Sequence, residues 1–387
     1  MQIIALTTEP SSSRGGQPLS TLSVCQSLAE RGHSIILLYW KEGDLLEQYQ
    51  KFCQKIIQVQ VKDINKYQLI RSSIKLLYST FLTANSLSLS KQEKKVIYLD
   101  DCQNCLFANL FGFFKGTIPS VFHIRQPILP KVPRKYWIGI KKITAFITVS
   151  QKIKEQWSNL GLNPSQFTVV LNGVDPLYYQ PSLNWQESRK LWGLSQDEKI
   201  ITYLGRLDRE KGLETLLKSF SLLNQASQLP LRLLIAGRPV LHPTLEQGEQ
   251  YKQFLQQLTI DLKIQEQVSF LGYVKNTVKL YQASDLIVLP SVYAEPCARV
   301  IIEAMACGIP IIASNSGGNP ELLNYKFQDF LFEINNEKEL FQKLETFIDW
   351  RKDRPKLQGE LHQFFLNNLT LERNVNQVED ILQSVAK

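Results

Sequence analysis

No stretch of this 387-residue sequence reaches the roughly 18 consecutive apolar residues that a membrane-spanning helix needs. The opening MQIIALTTEP lacks the basic segment and long apolar core of a signal peptide and reads as a short strand. The six cysteines, Cys25, Cys53, Cys102, Cys105, Cys297 and Cys307, are too few and too scattered for a disulfide framework, so a reducing, cytoplasmic setting is expected. Cys102-Gln-Asn-Cys105 has no second pair and no His-x-His partner, which argues against zinc, and no metal site is expected. Gly-x-Gly-x-x-Gly and Gly-x4-Gly-Lys-[Ser/Thr] are both missing, which removes the main support for dinucleotide and P-loop readings. No internal repeat or low-complexity tract stands out.

Charge is not concentrated either. The 44 Lys+Arg against 36 Asp+Glu give +8, a diffuse basic balance that favours anionic partners without the footprint of a nucleic-acid binder. Only Lys131-Val132-Pro133-Arg134-Lys135 and Lys141-Lys142 cluster, mildly. They could meet a phosphate-bearing substrate or the inner face of an anionic membrane, so peripheral contact is left open beside a plain solvated surface.

What is present is a folded composition, 44% hydrophobic and 21% charged, in a chain too long for one ordinary core. Short apolar runs alternate with amphipathic ones. IIALTT, SIILLYW, VIYLDD, PSVFHI and AFITVS read as one series of strands, and IITYLGRL, LRLLIAG, VSFLGYV, LIVLPS and PIIAS as a second. Helical segments such as PLSTLSVCQSLAERG and LETLLKSFSLL lie between them. That rhythm predicts two doubly wound α/β domains in tandem, residues 1–180 and 181–365, with the turn-rich VVLNGVDPLYYQPSLNW at the junction. Residues 366–387 carry Val375, Val378, Ile381, Leu382 and Val385 on one helical face, and are expected to pack on something apolar and to cross back to the first domain.

In open α/β sheets ligands bind at the carboxyl ends of the strands, so the strand-to-helix loops are where chemistry is sought. The first carries Gly15-Gly16, where the backbone can approach a ligand closely and the next helix start favours an anion. In the second domain Arg206 and Lys211 sit beside a helix start, an end that already carries partial positive charge. A bound diphosphate would resolve that oddity, and so would pairing with Asp208, Glu210 or Glu214. In EPCARVIIEAMACGIP the Gly308 stop and the nearby Pro296 predict a helix over about 297–307. Glu295 then lies on the loop before it and Glu303 inside it, with Val300, Ile301, Ala304 and Met305 packed inward. Two carboxylates so placed suit vicinal hydroxyls, since each oxygen accepts a hydrogen bond.

EPCARVIIEAMACGIPIIASNSGGNPELL resembles the E-x7-E signature of the retaining glycosyltransferases of family 4. The likeness continues in GRLDREKG, LIAGRP, FLGYV, YQASDLIVLPS, LNGVD, ITVSQKIKEQW and GGQPLSTLSVCQSLAERGH, in the family's order and over nearly the whole chain. The resemblance implies the GT-B fold, two Rossmann-like domains facing across a cleft. It implies that Glu303 binds the nucleotide ribose and Glu295 a hydroxyl of the donor sugar, that Arg206 and Lys211 hold the diphosphate with Gly15 and Gly16 close by, and that Cys297, Ala298 and Arg299 line the donor pocket. His123, in VFHIRQP, matches a histidine near the transferred sugar. Two departures stand out: Ile124 follows His123 where the family commonly has Asp, and Cys297-Ala298 replaces the usual Phe-Gly or similar pair.

The function expected is transfer of a sugar, with retention, from a UDP- or GDP-sugar to a saccharide or glycolipid hydroxyl, in polysaccharide or glycolipid synthesis. The nucleotide sugar is a co-substrate and no cofactor is expected. With no Asp-x-Asp in the chain, its cations are expected to stabilise the leaving diphosphate without a metal. The alternatives are another GT-B enzyme, a sugar phosphorylase or nucleotide-sugar epimerase, and a nucleotide-sugar-binding protein without turnover.

Overall fold

The structure, a computed structural model, describes residues 1–60, 69–128, 133–239 and 245–387. They divide into two compact units, Met1–Gly173 with Leu371–Lys387, and Val174–Thr370.

In the first unit, strands β1 (Gln2–Thr7), β2 (Ser34–Tyr39), β3 (Lys55–Gln58), β4 (Lys95–Leu99), β5 (Ser120–Ile124), β6 (Ala145–Thr148) and β7 (Phe167–Val169) form a parallel sheet in the order β3-β2-β1-β4-β5-β6-β7. In the second, β8 (Lys199–Leu204), β9 (Leu231–Ala236), β10 (Val268–Gly272), β11 (Leu286–Leu289), β12 (Ile311–Ser314) and β13 (Leu331–Phe332) pair in parallel in the order β10-β9-β8-β11-β12-β13. Each order starts in the middle, runs to one edge and then to the other, so each sheet has a reversal point, between β1 and β4 and between β8 and β11. The central strands are continuous apolar runs because helices cover both faces; β1, β5 and β11 are buried at every position.

All ten strands expected from apolar runs are present, eight ending short of the run where the chain leaves the sheet and β5 and β12 ending with it. Three strands carry no such signal. β3 is an edge strand with exposed ends, β7 has three residues and β13 two, too little to stand out from loop sequence.

The helix Leu371–Val385 belongs with the first unit. Val375, Val378 and Leu382 are fully buried in one cluster with Leu22, Cys25 and Val96, and Lys95 N donates to Lys387 O at 2.7 Å. Ile381 and Val385 are only partly covered. Below the second sheet, Asp285 ties three elements together. Its carboxylate accepts from Arg189 Nη2 at 2.5 Å, from Arg351 Nε at 3.1 Å and from the backbone N of Ile200 at 2.7 Å, all with the acid 2% exposed.

Candidate active site

In the second unit the loops after β8, β11 and β12 are bound to one another before any side chain is considered. Glu210 O accepts from the N–H groups of Val292 and Tyr293, and Gly212, which caps the helix Leu213–Ala226, lies so close to the next loop that a Cβ there would sit 2.1 Å from Pro290 O. Gly318 N donates to Glu295 O at 2.7 Å. Gly317, at φ 57°, would put a Cβ 2.2 Å from the same oxygen, so a side chain there would push the Glu295 loop away. Ser314 Oγ and Ser316 Oγ donate to the carbonyls of Ser291 and Tyr293. The loop carrying Glu295 is thereby held on both sides.

Glu295 is 7% exposed, and both of its hydrogen bonds go to Oε1: Lys211 Nζ at 2.5 Å and Ser291 Oγ at 2.6 Å. Oε2 makes no hydrogen bond among the described residues. An anion does resolve the crowding of cations at this helix start, and it is Glu295 of the chain itself. Lys211 keeps donors to spare, since an ammonium has three. Its Nζ also lies 5.5 Å from the Tyr293 ring centre. Arg206 faces Asp208 at 3.6 Å with its side chain 43% exposed, a loose pair in water. Glu214 is taken by Arg209 and by Tyr251 OH.

The helix carrying Glu303 runs Arg299–Ala306, starting two residues later than expected because Ala298 is extended, at φ −70° and ψ 112°. Ile301, Ala304 and Met305 are buried as expected, whereas Val300 is only half-buried and Ile302 is fully enclosed. The Glu303 carboxylate accepts from Tyr281 OH at 2.8 Å on Oε2, and Arg299 Nε at 3.2 Å and Nη2 at 3.1 Å reach Oε1. Burial works against the charge of Arg299, but Glu303 and Tyr179 together more than offset it and hold its pKa above the usual arginine value. Burial, reinforced by Glu303, pushes the phenol of Tyr281 well up, so it stays a donor. Cys297 and Ala298 are buried at the helix start.

The first unit gathers a second polar group at its own reversal point. Gly15, at φ 89°, caps the helix Gly16–Glu30. Asp100, just past β4, accepts from Thr21 Oγ1 at 3.0 Å and Thr7 Oγ1 at 3.4 Å, and burial pushes its pKa up to about 6. His123 on β5 is fully buried, with Nδ1 2.7 Å from Tyr98 OH. Arg125 Nη2 donates to that same hydroxyl at 3.1 Å, which leaves the Tyr98 proton for Nδ1 and assigns the ring hydrogen to Nε2. Burial, with Arg125 adding to it, holds the His123 pKa well below its usual value, so the ring is neutral. His123 Nε2 and Arg125 Nε and Nη1 are buried without a partner among the described residues.

Cys102 and Cys105 are free thiols, and among the described residues no three His, Cys, Asp or Glu form a group that could hold a metal ion. Lys141 and Lys142 are exposed; Lys131 and Val132 of the other basic run lie outside the described residues.

These observations meet the comparisons with known proteins. Residues 185–360 match the model of glycosyl transferases group 1, and residues 14–177 that of glycosyltransferase family 4. The chain belongs to this glycosyltransferase family. It is 31% identical over 228 residues to an uncharacterized glycosyltransferase of Methanocaldococcus jannaschii, a match covering 57% of this chain and 53% of that protein. It is 34% identical over 161 residues to the D-inositol 3-phosphate glycosyltransferase of Rhodococcus erythropolis, covering 41% of this chain and 35% of that one. The chain thus spans about half, or less, of the length of these curated relatives. The structure of Anabaena HepE in complex with UDP and glucose superposes with a TM-score of 0.81 at 20% identity, covering 99% of this chain and 100% of that one. A glycosyltransferase from Rickettsia africae gives 0.83 at 19%, covering 99% and 98%. The fold is GT-B, as the paired sheets indicate.

The sequence did not single out Ser291 or Tyr281. Both lie inside quoted motifs, Ser291 four residues before Glu295 and Tyr281 in YQASD, but each is an ordinary residue until a carboxylate is placed beside it.

Proposed function

We propose that this glycosyltransferase-family chain is a retaining enzyme that moves a sugar from a nucleoside diphosphate sugar to a hydroxyl of a saccharide or glycolipid. The observation that carries the reading is the Lys211–Glu295 pair, set where the second sheet reverses its strand order, with the partly exposed Arg206 on the same loop as Lys211. The unit Val174–Thr370 binds the donor, and the unit of Met1–Gly173 with Leu371–Lys387 binds the acceptor. The remaining Lys211 donors and Arg206 take the diphosphate, whose charge grows as the sugar leaves. Oε2 of Glu295 accepts a sugar hydroxyl while Oε1 stays with Lys211 and Ser291. One carboxylate thereby couples sugar position to the cation on the leaving group. Oε2 of Glu303 has a lone pair beyond its Tyr281 bond, while Oε1 already faces both Nε and Nη2 of Arg299, so the ribose hydroxyls meet the carboxylate on its Oε2 side. Cys297, Ala298 and Arg299 wall this pocket. In the first unit the start of the helix after Gly15 and Gly16 favours an anionic group, and His123 serves as an N–H donor rather than a base.

The anomeric carbon is attacked from the face the diphosphate leaves, and the acceptor proton passes to that phosphate. The cations carry the leaving-group charge, consistent with a chain lacking Asp-x-Asp. UDP-sugars are the first donors to test, since Anabaena HepE was crystallised with UDP and glucose. Incubation with UDP-sugars and a panel of saccharide and glycolipid acceptors tests the proposal: nucleoside diphosphate is released only with acceptor, and NMR shows the donor's anomeric configuration in the product. An inverted product, or release of sugar phosphate in place of nucleoside diphosphate, contradicts it.

A further inference from the structure

The helix Leu69–Asn85 is built inside out. From Arg71 on, its buried positions are Ser72, Leu76, Ser79, Thr80, Thr83 and Ala84, all but Leu76 small or polar. Buried hydroxyls there turn back on their own helix, Thr80 Oγ1 to Leu76 O at 2.7 Å and Thr83 Oγ1 to Ser79 O at 2.8 Å. From Arg71 on, the bulky apolar residues other than Leu76 instead face solvent. Ile74, Leu77, Tyr78, Phe81 and Leu82 recur at the i, i+3, i+4, i+7, i+8 spacing of one helical face, and each is between 44% and 63% exposed. The patch extends onto the next helix, Cys105–Phe114. Phe81 packs edge-on against Phe114, ring centres 5.7 Å apart, and Phe114 packs on Phe113, which is itself 73% exposed. A contiguous apolar surface of this kind marks an interaction site, because single exposed apolar residues are ordinary but an aligned stripe is not.

The charges choose the partner. Neither helix contains Asp or Glu; Arg71 and Lys75 stand exposed on the first, and Lys115 follows the second. Two copies of this face would bring like charges together, whereas an anionic lipid surface offers both hydrocarbon for the apolar stripe and phosphate for the cations. We infer that the face formed by Ile74, Leu77, Tyr78, Phe81, Leu82 and Phe113 docks the protein flat on an anionic membrane surface, with Arg71 and Lys75 against the lipid headgroups. Tyr78 has the apolar body and polar tip that suit the interface. This surface is separate from the residues assigned to sugar transfer, and its test reads lipid binding alone.

Flotation of the full chain with vesicles of phosphatidylcholine containing about 30% phosphatidylglycerol, against pure phosphatidylcholine, provides that test. The chain floats with the anionic vesicles, less as salt rises. The triple variant Ile74→Gln/Tyr78→Gln/Phe81→Gln, whose positions are solvent-exposed and whose folding is checked by its melting curve, loses at least about tenfold in partitioning. Arg71→Gln/Lys75→Gln keeps the apolar face but loses about tenfold on anionic vesicles and most of its salt dependence. Equal flotation of the triple variant, no flotation of the unaltered chain, or equal binding to neutral vesicles overturns the inference. So does sedimentation velocity showing a dimer that the triple variant abolishes.

Discussion

Lys211 donates to Oε1 of Glu295 at 2.5 Å, joining the loop after β8 to the loop after β11 where the strand order of the second sheet reverses. Both side chains are largely buried, at 13% and 9% exposed, so each is held in place by the other, and Glu295 by Ser291 as well. Lys211→Met should therefore do more than remove one phosphate contact, because Glu295 loses its cation. Affinity for nucleoside diphosphate is expected to fall about tenfold or more, with affinity for the bare nucleoside nearly unchanged, as read by titration calorimetry. Equal loss for nucleoside and nucleoside diphosphate would show that Lys211 is only a structural strut.

How far that pair could be read in advance shows where sequence reasoning stops. Arg206, Lys211, Glu295 and Glu303 were all legible as site candidates, because charges on loops and inside an apolar helix stand out against their surroundings. Their pairing was not legible, since Lys211 and Glu295 are 84 positions apart and meet only through the sheet order. Of the expected local partners, Asp208 does face Arg206, at 3.6 Å, whereas Glu214 is taken by Arg209 and Tyr251, and Glu210 meets the neighbouring loop only through its backbone carbonyl. Ten strands, the edge strand β10 among them, were legible as apolar runs, and β3, β7 and β13 were not, because strands of two to four residues at an edge bury too little to impose a pattern. The outward stripe of Leu69–Asn85 reads as an ordinary core helix until the structure shows which face is covered.

Asp285 makes a stability prediction independent of the active site. Asp285→Ala leaves Arg189 and Arg351 buried without their carboxylate, and removal of one partner of a buried pair costs about 3–5 kcal/mol. Urea unfolding followed by circular dichroism should show a loss of that size. A change under about 1 kcal/mol would mean that water or a neighbouring group replaces the acid.

Asp100 gives a pH dependence of definite sign. Burial raises its pKa from 3.8 to about 6, so the folded state holds a proton that the unfolded state has released between those values. Its burial therefore costs nothing below about pH 4 and its full penalty above about pH 6, on the order of 3 kcal/mol. Asp100→Asn, which keeps an acceptor for Thr21, should gain stability relative to the unaltered chain as pH rises from 4 to 7. A stability difference that stays flat with pH contradicts this.

Turnover should be insensitive to chelator. With Arg206 and Lys211 carrying the charge of the leaving diphosphate, EDTA is expected to change the rate by less than about twofold. Activity that disappears with EDTA and returns with Mn²⁺ or Mg²⁺ would assign that work to a metal.

The central claim is that Glu303 holds the nucleotide and Glu295 the sugar, and titration calorimetry of UDP and a UDP-sugar against Glu303→Ala and Glu295→Ala tests it most directly. Glu303→Ala should weaken binding of UDP itself by about 1.5–3 kcal/mol, the worth of lost charge-assisted hydrogen bonds. Glu295→Ala should leave UDP affinity within about threefold and remove the additional affinity that the sugar confers, because its Oε2 is the atom assigned to that sugar. Equal loss of UDP affinity in both variants, or in neither, contradicts the assignment.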